Sequence, residues 1–497
     1  MLLADTPTSS GIDRSPDPTG HAATLVSSRQ LGSARAVWAV ALTGLPKIFS
    51  RFCLEPAKCG LGDIATAIDG NGGPGPSIYA KRGLLYLWFR GSTRPILVID
   101  RAGRVVRTVA APGGVNSLAV DTDGNIYVTP PVDWFVERID KRGHTKLIAG
   151  RQGTISELRG HCSLACGSGA GIPALKALFV GINGIDVDSR GRVLIADGGH
   201  LRVRRLDRDG IVRTVAGNGR TYGSYVKPPC LPPCHLQSGQ PALKILLEAP
   251  GVVKAAQDGS FWFTEGSPSN NNLRVLWRVD LGGIAHLVDP GFFLSHAMSP
   301  ITGHAVAISI DRHTRRPRLV DISLKGRRRL LLDSPGKNCA STLVALTCGD
   351  GFASPRASMN GVANYSLSAV AIDEAGGVYV ASQGEEVRYL PPANDPQARL
   401  GFAITSNPIE TPATKPIAIA YRASEPVTIS ARIEPINAGD PQPITIVAKT
   451  ASSGTVTWDQ TLAGTQATAG AYLLELRATD SKKRTSSRII PITITSG

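Results

Sequence analysis

The chain has 497 residues, of which 42% are hydrophobic and 19% are charged, so it can bury a core in two or more domains. Its 54 glycines, 35 prolines and 5% aromatic residues favour many short strands joined by turns and argue against long helices. The net charge of +15 suits an anionic partner, but the basic runs at 312–318 and 325–329 contain no interleaved aromatic residues, which argues against nucleic acid.

The N-terminal residues 1–35 are polar and rich in Ser, Thr, Pro and Asp, which predicts a disordered tail. The apolar run 36–45 has the length of a signal-peptide core but starts late, so it is either such a core behind a downstream start or a strand. The export signal is therefore not clearly identified. No stretch approaches the ~20 apolar residues of a membrane-spanning helix, and no transmembrane span is expected.

Eight cysteines form four close pairs, each in a Gly/Pro-rich stretch just before a strand-like segment. Because the pairs recur in one structural place, they predict local disulfides that hold loops, and an oxidising compartment. Half-sites for zinc, with neighbouring histidines, are one alternative, although the last pair is spaced too widely for them. Free thiols are the other. The pairs are Cys53 with Cys59, Cys162 with Cys166, Cys230 with Cys234, and Cys339 with Cys348.

A repeat runs through residues 115–150, 182–217, 249–291 and, in shortened form, 366–392. Each copy reads as four short strands joined by two Asp/Gly turns and a central polar loop. Weaker copies run from 78 to 110 and from 301 to 333. Asp-Gly pairs such as Asp123-Gly124 supply the positive φ of tight hairpin turns. About six units of four antiparallel strands predict an all-β fold, a β-propeller of about six blades.

The third repeat contains GIDVD, GRVLIAD, HLRVRRLD and IVRTVAGNG between positions 184 and 219. These motifs resemble the NHL-repeat family, in particular the teneurin type with TVAG-x-G repeats. The resemblance covers about residues 48–392 and implies a propeller but no single activity. We assign residues 36–400 to this domain. The last repeat stops after three strands, which predicts that residues 47–52 supply its missing fourth strand.

Because neighbouring strands of a blade run in opposite directions, successive connections lie on two opposite faces of the propeller. The cysteine pairs share the loop face with the loops between the second and third strands, whereas the Asp/Gly turns lie on the plainer turn face. Loops on a rigid scaffold often bind partners, so the loop face is the predicted binding face. In the NHL pattern Asp197 and Arg202 instead hold the loop within a blade, and Trp134 is either a loop anchor or a stacking platform. The candidate binding residues are Trp134, Asp197, His200, Glu265, Asn271 and Glu385.

Composition shifts to Thr, Pro and Ala after the last repeat, which predicts a linker at 401–415. Apolar residues then alternate with polar ones from Val427 to Ile433, as in a half-buried strand. About seven such strands predict that residues 416–497 form an Ig-like β-sandwich, with Trp458 in its core. The segment resembles the Ig-like module of flagellar hook-capping proteins.

The leading functional hypothesis is an extracellular or cell-surface binding or scaffold protein, whose partner is a protein or an anionic surface polymer. The alternative is a propeller hydrolase or lyase, lactonase-like, with a metal in the central channel; calcium is the one cofactor left open. A third interpretation is a rigid part of a larger surface array. The G-x-G-x-x-G match at 70–75 lacks a strand-to-helix context, and no catalytic or metal-binding residue is assigned.

Overall fold

The computed structural model describes strands and connections throughout most of the repeat region and the C-terminal segment. Among the described residues, no helix is long and apolar enough to cross a membrane. The described residues are 38–40, 77–99, 105–111, 113–131, 134–151, 171–220, 238–266, 275–311, 313–314, 317–332, 367–382, 387–390, 402–404, 410–412, 415–435, 442–444, 446, 450–483 and 485–495.

In the described part of the chain, six antiparallel sheets form the blades of a β-propeller, so the predicted propeller is confirmed. The first described strand is β1 (Trp38–Val40), which belongs to the last blade. Blade one contains β2 (Ser77–Lys81), β3 (Leu84–Trp88), β4 (Ile96–Ile99) and β5 (Val105–Val109). Blade two contains β6 (Ser117–Val120), β7 (Ile126–Thr129), β8 (Phe135–Ile139) and β9 (Thr145–Gly150).

Blades three and four each gain a short fifth strand on their outer edge. Blade three contains β10 (Ile172–Pro173), β11 (Ile182–Val187), β12 (Val193–Asp197), β13 (Arg202–Leu206) and β14 (Ile211–Ala216), with β10 beside β14. Blade four contains β15 (Gln240–Pro241), β16 (Pro250–Ala255), β17 (Phe261–Glu265), β18 (Val275–Val279) and β19 (Ile284–Asp289), with β15 beside β19. A single 3-10 turn follows each edge strand, at Ala174–Lys176 and Ala242–Lys244.

The last two blades complete the ring. Blade five contains β20 (Phe292–Met298), β21 (Ala305–Ile310), β22 (Pro317–Ile322) and β23 (Arg328–Leu332). Blade six contains β24 (Leu367–Ile372), β25 (Val378–Ser382) and β26 (Val387–Leu390), and β1 is its fourth strand. An N-terminal segment thus supplies the fourth strand of blade six. The prediction that residues 47–52 form it was wrong, because Trp38–Val40 pairs with residues 387–389 instead.

The core lies between neighbouring blades, because each sheet buries both faces. Alternating side chains of one blade meet those of the next, and each interface excludes apolar area from water. Blade one closes onto blade six through Ile78, Leu87 and Leu97 against Ala369, Tyr379 and Val387. The innermost strand of every blade is its first: β2, β6, β11, β16, β20 and β24 contact one another in order, and β24 contacts β2. The six inner strands therefore surround a central axis.

The hairpin turns follow the predicted chemistry. Gly124, Gly210 and Gly259 adopt φ of +87°, +75° and +87°, which an L side chain rarely adopts. Asp188 accepts hydrogen bonds from the backbone N–H of Arg190 and Arg192, each at 2.9 Å. This Asx arrangement fixes the turn without a contribution from tertiary structure.

The C-terminal residues form a separate sheet with its own core. Its strands are β27 (Phe402–Ile404), β28 (Glu410–Pro412), β29 (Ile417–Pro435), β30 (Gln442–Ile444), β31 (Ala451–Trp458), β34 (Gly470–Asp480) and β35 (Thr485–Thr495). Strands β32 (Thr461–Leu462) and β33 (Thr465–Gln466) pair with each other as a small two-stranded hairpin. Trp458 is 1% exposed and packs in this core, and its indole N–H donates to the Thr461 carbonyl.

Candidate functional site

One level of the inner strands carries polar side chains in three blades and alanine in the other three. Residues are at the same level when they pair with the equivalent residue of the second strand of their blade. Tyr79, for example, pairs with Tyr86 in blade one, and Ala119 pairs with Tyr127 in blade two. In blades one to six the residues are Tyr79, Ala119, Asp186, Lys254, Ala297 and Ala371. We call Tyr79, Asp186 and Lys254 the channel trio.

A cavity of about 120 Å³ opens at this level, on the turn face of the propeller. Five of the six inner strands line it, which places it on the central axis. The small side chains of Ala297 and Ala371, in the neighbouring blades five and six, leave the space that the channel trio faces. The lining includes the trio, Ala297 and Ala371, with Lys81, Gln257, Ser299, Asp373 and Glu374 at the turn-face end. The face that the sequence left as the plainer one thus holds a concave polar site.

Asp186 joins three blades through its two carboxylate oxygens. The Tyr79 hydroxyl donates to Oδ1 at 2.7 Å, and the Ala255 backbone N–H donates to Oδ2 at 2.7 Å. Asp186 is 4% exposed, so both bonds lie in a medium of low polarity, where they are strong. Burial, followed by the charge of Asp186 and this hydrogen bond, raises the pKa of Tyr79 well above its usual value. The phenol therefore stays protonated.

Lys254 extends from the inner strand of blade four to the Tyr79 ring. Its Nζ lies 4.5 Å from the ring centroid, a distance at which a cation is attracted to the aromatic face. Burial lowers the pKa of Lys254, although the charge of Asp186 opposes this effect. The side chain is only half-buried because it borders the cavity. Among the described residues no hydrogen bond or ion pair engages its ammonium group.

His296 is a fully buried histidine one residue before the alanine of blade five. The equivalent residues of the other blades are aliphatic: Ile78, Leu118, Ile185, Val253 and Val370. Neither ring nitrogen makes a hydrogen bond of good geometry to a described residue. Burial, aided by the charge of Lys254 and opposed by the Trp262 backbone, lowers the pKa of His296 to about 3. The ring is therefore neutral at physiological pH.

Glu374 stands at the turn-face mouth of the cavity. Its carboxylate accepts hydrogen bonds from the backbone N–H groups of Arg82 and Gly83, and so ties blade six to the hairpin turn of blade one. Burial would raise its pKa, but these backbone bonds outweigh burial and lower it. The mouth thus keeps a fixed negative charge on Glu374.

The arrangement can bind a small polar molecule and exchange protons with it. Titratable groups with displaced pKa values in a cleft are candidates for function. A resident metal would require ligands that converge, and no group of three His, Cys, Asp or Glu side chains suited to a metal occurs in the described part of the chain. The predicted channel metal of the hydrolase hypothesis finds no ligand set there.

A second depression, of about 470 Å³, lies between blades three and four. Two of its three arginines are already engaged: Arg192 pairs with Asp188, and Arg205 pairs with Asp207. The guanidinium groups of these two arginines are thus paired with carboxylates of the protein itself. We therefore place the candidate site at the central cavity.

Asp197 and His200, both predicted binding residues, lie buried inside blade three. Asp197 accepts from the Val180 backbone N–H at 3.0 Å, contacts His200 Nδ1 at 2.9 Å and pairs with Arg204 at 3.3 Å. Arg204, which the sequence analysis did not single out, makes this ion pair, and Arg202 donates to the Asn218 carbonyl. The contact of these residues with a partner stays a prediction.

Glu265 repeats this arrangement in blade four. It is 1% exposed and accepts from the Glu248 backbone N–H at 2.8 Å and from the Trp277 indole at 2.6 Å. Trp277 occupies the strand position that Arg204 has in blade three. In both blades a carboxylate at the end of the second strand thus ties down the connection from the preceding blade.

The remaining predicted binding residues have less structural context. Trp134 is half-buried immediately before β8 on the loop face. Asn271 and Glu385 lie outside the described residues, so their contacts with a partner stay predictions. The channel trio and His296 were missed by the sequence analysis. A polar residue at one register position of an otherwise apolar strand, in several repeats, is the signal that points to them.

The cysteines also lie outside the described residues. The four predicted disulfides, together with the zinc and free-thiol alternatives, therefore stay predictions. This holds for every member of the four pairs: Cys53, Cys59, Cys162, Cys166, Cys230, Cys234, Cys339 and Cys348.

No protein-family model matches the sequence, and a search of curated proteins finds no match. Several solved propellers are similar in structure. A virginiamycin B lyase from Staphylococcus aureus with quinupristin is 13% identical, with 65% of this chain and 96% of that chain covered and a TM-score of 0.38. A gluconolactonase from Xanthomonas campestris is 13% identical, over 70% and 93%, with a TM-score of 0.34. The WD40 propeller domain of Doa1 is 14% identical, over 64% and 92%, with a TM-score of 0.34.

Proposed function

We propose that the protein binds a small anionic molecule in the central cavity, with Lys254 as the group that pairs with the anion. One observation carries the proposal: the equivalent inner-strand level has Tyr79, Asp186 and Lys254 in three blades and alanine in the other three. At this level the three polar side chains therefore face a cavity that the small alanine side chains leave unfilled. This is the composition of a ligand site, where a few convergent polar groups fix orientation.

The charge of Lys254 determines the ligand class. A half-buried ammonium without a hydrogen bond or ion pair to the described residues loses hydration that only the cavity contents can replace. A carboxylate would restore the lost interaction as a charge-assisted hydrogen bond. The cavity, at about 120 Å³, is close to the ~150 Å³ cavity that holds benzene in an engineered protein. The ligand should therefore have about six non-hydrogen atoms.

The test uses two probes of the same shape, butyrate and butyramide. We expect butyrate to bind, with saturation-transfer NMR and a rise in melting temperature as the readouts, and butyramide to bind at least tenfold more weakly. The variant Lys254→Met should lose butyrate binding, whereas Lys244→Met, at an exposed lysine outside the cavity, should retain it. Equal binding of both probes, or full binding by Lys254→Met, would contradict the proposal.

A second candidate function is a hydrolase or lyase that acts in the same cavity. Burial moves the pKa of Tyr79 upward and the pKa of Lys254 downward, and groups displaced in opposite directions are suited to acid and base roles. Turnover of small esters or lactones that is lost in both Tyr79→Phe and Lys254→Met would support this candidate. If the variants lose ligand binding and no turnover is detected in the wild type, the binding role is supported and the enzymatic role is not.

The loop face is the basis of a separate proposal. We propose that the chain is an NHL-type propeller with an Ig-like domain, secreted or at the cell surface, and that its disulfide-stapled loops contact a protein or an anionic surface polymer. The motifs of the third repeat and the recurring cysteine pairs support it. Alkylation of the unreduced protein followed by peptide mapping should find four bridges between neighbouring cysteines. Eight alkylated thiols would contradict export.

A further inference from the structure

Lys254 differs from the other described lysines in the position of its ammonium group. Lys81 also borders the cavity from an inner strand, but among the described lysines only Lys254 has its Nζ over an aromatic ring, that of Tyr79. Lys141, Lys176, Lys244 and Lys325, by contrast, are exposed on turns and edges. A lysine removed from water and held by neighbouring groups is the type that forms covalent adducts with carbonyl compounds.

We propose that Lys254 captures a small aldehyde or ketone in the cavity as an imine. This inference rests on the cavity being a ligand site, as proposed above, and adds a covalent step to it. The carbonyl compound should be about as large as butyraldehyde, since the cavity holds about 120 Å³. No cofactor is needed, because imine formation is not a redox reaction.

The step is balanced within the two reactants. The neutral Lys254 amine adds to the carbonyl carbon, and a C–N bond forms while the π pair of the C=O bond moves to oxygen. One proton moves from nitrogen to this oxygen and gives a carbinolamine. The second proton on nitrogen then leaves as the C–O bond breaks, and one molecule of water is released. The products are the imine and water.

The surrounding groups favour both the start and the product of this step. Burial lowers the pKa of Lys254, which increases the fraction of neutral amine. The product imine is a base, and its protonated form carries the positive charge that the ammonium carried. Asp186 acts on that position by its charge, and the Tyr79 ring lies against it, so both stabilise the protonated imine. His296 stays neutral nearby and adds no competing charge.

The experiment is competitive labelling of the wild-type protein, so it does not depend on a variant that folds. The full chain is treated with butyraldehyde and cyanoborohydride at neutral pH, and the rate of alkylation at each lysine is followed by peptide mass spectrometry. We expect Lys254 to react severalfold faster than Lys244, because burial lowers its pKa and so leaves a larger fraction of neutral amine. Excess butyrate, which competes for the cavity, should remove this advantage, whereas butyramide should not.

The outcomes separate the covalent step from the binding site. Alkylation of Lys254 no faster than Lys244, in a protein that still binds butyrate through Lys254, would overturn imine capture and leave the anion site intact. Fast alkylation that butyrate does not slow would confirm the reactive lysine but place the anion elsewhere. Slow alkylation without butyrate binding would overturn both proposals.

Discussion

Replacement of the buried histidine His296 by valine should make the unfolding free energy less dependent on pH. Valine is the residue at the equivalent inner-strand position of blades four and six, Val253 and Val370, so the variant introduces a side chain that this fold already accommodates. The wild-type protein must bury His296 in its neutral form, because both ring nitrogens lack well-formed hydrogen bonds to described residues. The valine variant carries no such constraint.

The sign and size of the effect follow from proton linkage. Burial lowers the pKa of His296 to about 3, against about 6.5 in the unfolded chain. The unfolded state therefore binds more protons below pH 6.5, and stability is lost as the pH falls through that value. From pH 7 to pH 5 the linkage relation gives a loss of about 2 kcal/mol that is specific to this residue.

The assay is urea unfolding of wild type and His296→Val at pH 7 and pH 5, followed by tryptophan fluorescence. We expect the wild type to lose about 2 kcal/mol more than the variant between the two pH values. His313→Gln, which replaces an exposed histidine on a turn of blade five, serves as the control and should behave as wild type. An equal pH dependence in wild type and His296→Val would refute the assignment of a buried neutral histidine.

The other predictions concern the channel, the blades and the ring closure. Lys254→Met should flatten the alkaline part of the stability profile, because a lysine whose pKa is lowered adds stability as the pH rises toward 10.5; urea unfolding at pH 8 and 10 measures this. Asp186→Asn should lower the pKa of Tyr79 in an ultraviolet titration but leave it raised, since burial is the largest cause, and should cost about 1–3 kcal/mol in thermal unfolding. Asp197→Ala should cost about 3–5 kcal/mol because it leaves the buried Arg204 without its anion, whereas Glu265→Ala should cost about 1–3 kcal/mol; similar costs for the two would contradict this. Deletion of residues 1–41 should lower the melting temperature relative to deletion of 1–35, because only the longer deletion removes the strand that completes blade six.

The blades could be predicted from the sequence because their signals are local. An aspartate that accepts backbone N–H groups two and four residues later, followed by a glycine with positive φ, defines a turn wherever it occurs. Strand composition and a regular spacing of turns then give four strands per repeat. The closing strand was assigned to the wrong segment because pairing between residues almost the whole chain apart depends on the geometry of the ring, which the local sequence does not encode.

The candidate site could not be predicted in the same way because its residues are distant in the chain. Tyr79 and Asp186 are separated by 107 residues and meet only when the ring brings blades one and three together across the axis. In the sequence, each of the two is only a single polar residue within a strand of mainly apolar residues. The predicted candidates Asp197 and Glu265 were conspicuous in the sequence because they end strands before loops, and in the structure that same position makes them internal ties between blades.

The inner strands also show why the polar residues at the axis indicate a site. Five blades hold an aliphatic side chain where blade five has His296, and three blades hold alanine where the others have Tyr79, Asp186 and Lys254. The scaffold therefore tolerates apolar residues at both levels. Burial of a lysine without an ion pair, and of a histidine without good hydrogen bonds, each costs free energy that alanine or valine would not. Departures from packing rules of this kind occur where function requires them. Because these departures cluster around one cavity, we infer that the propeller axis contains a binding site.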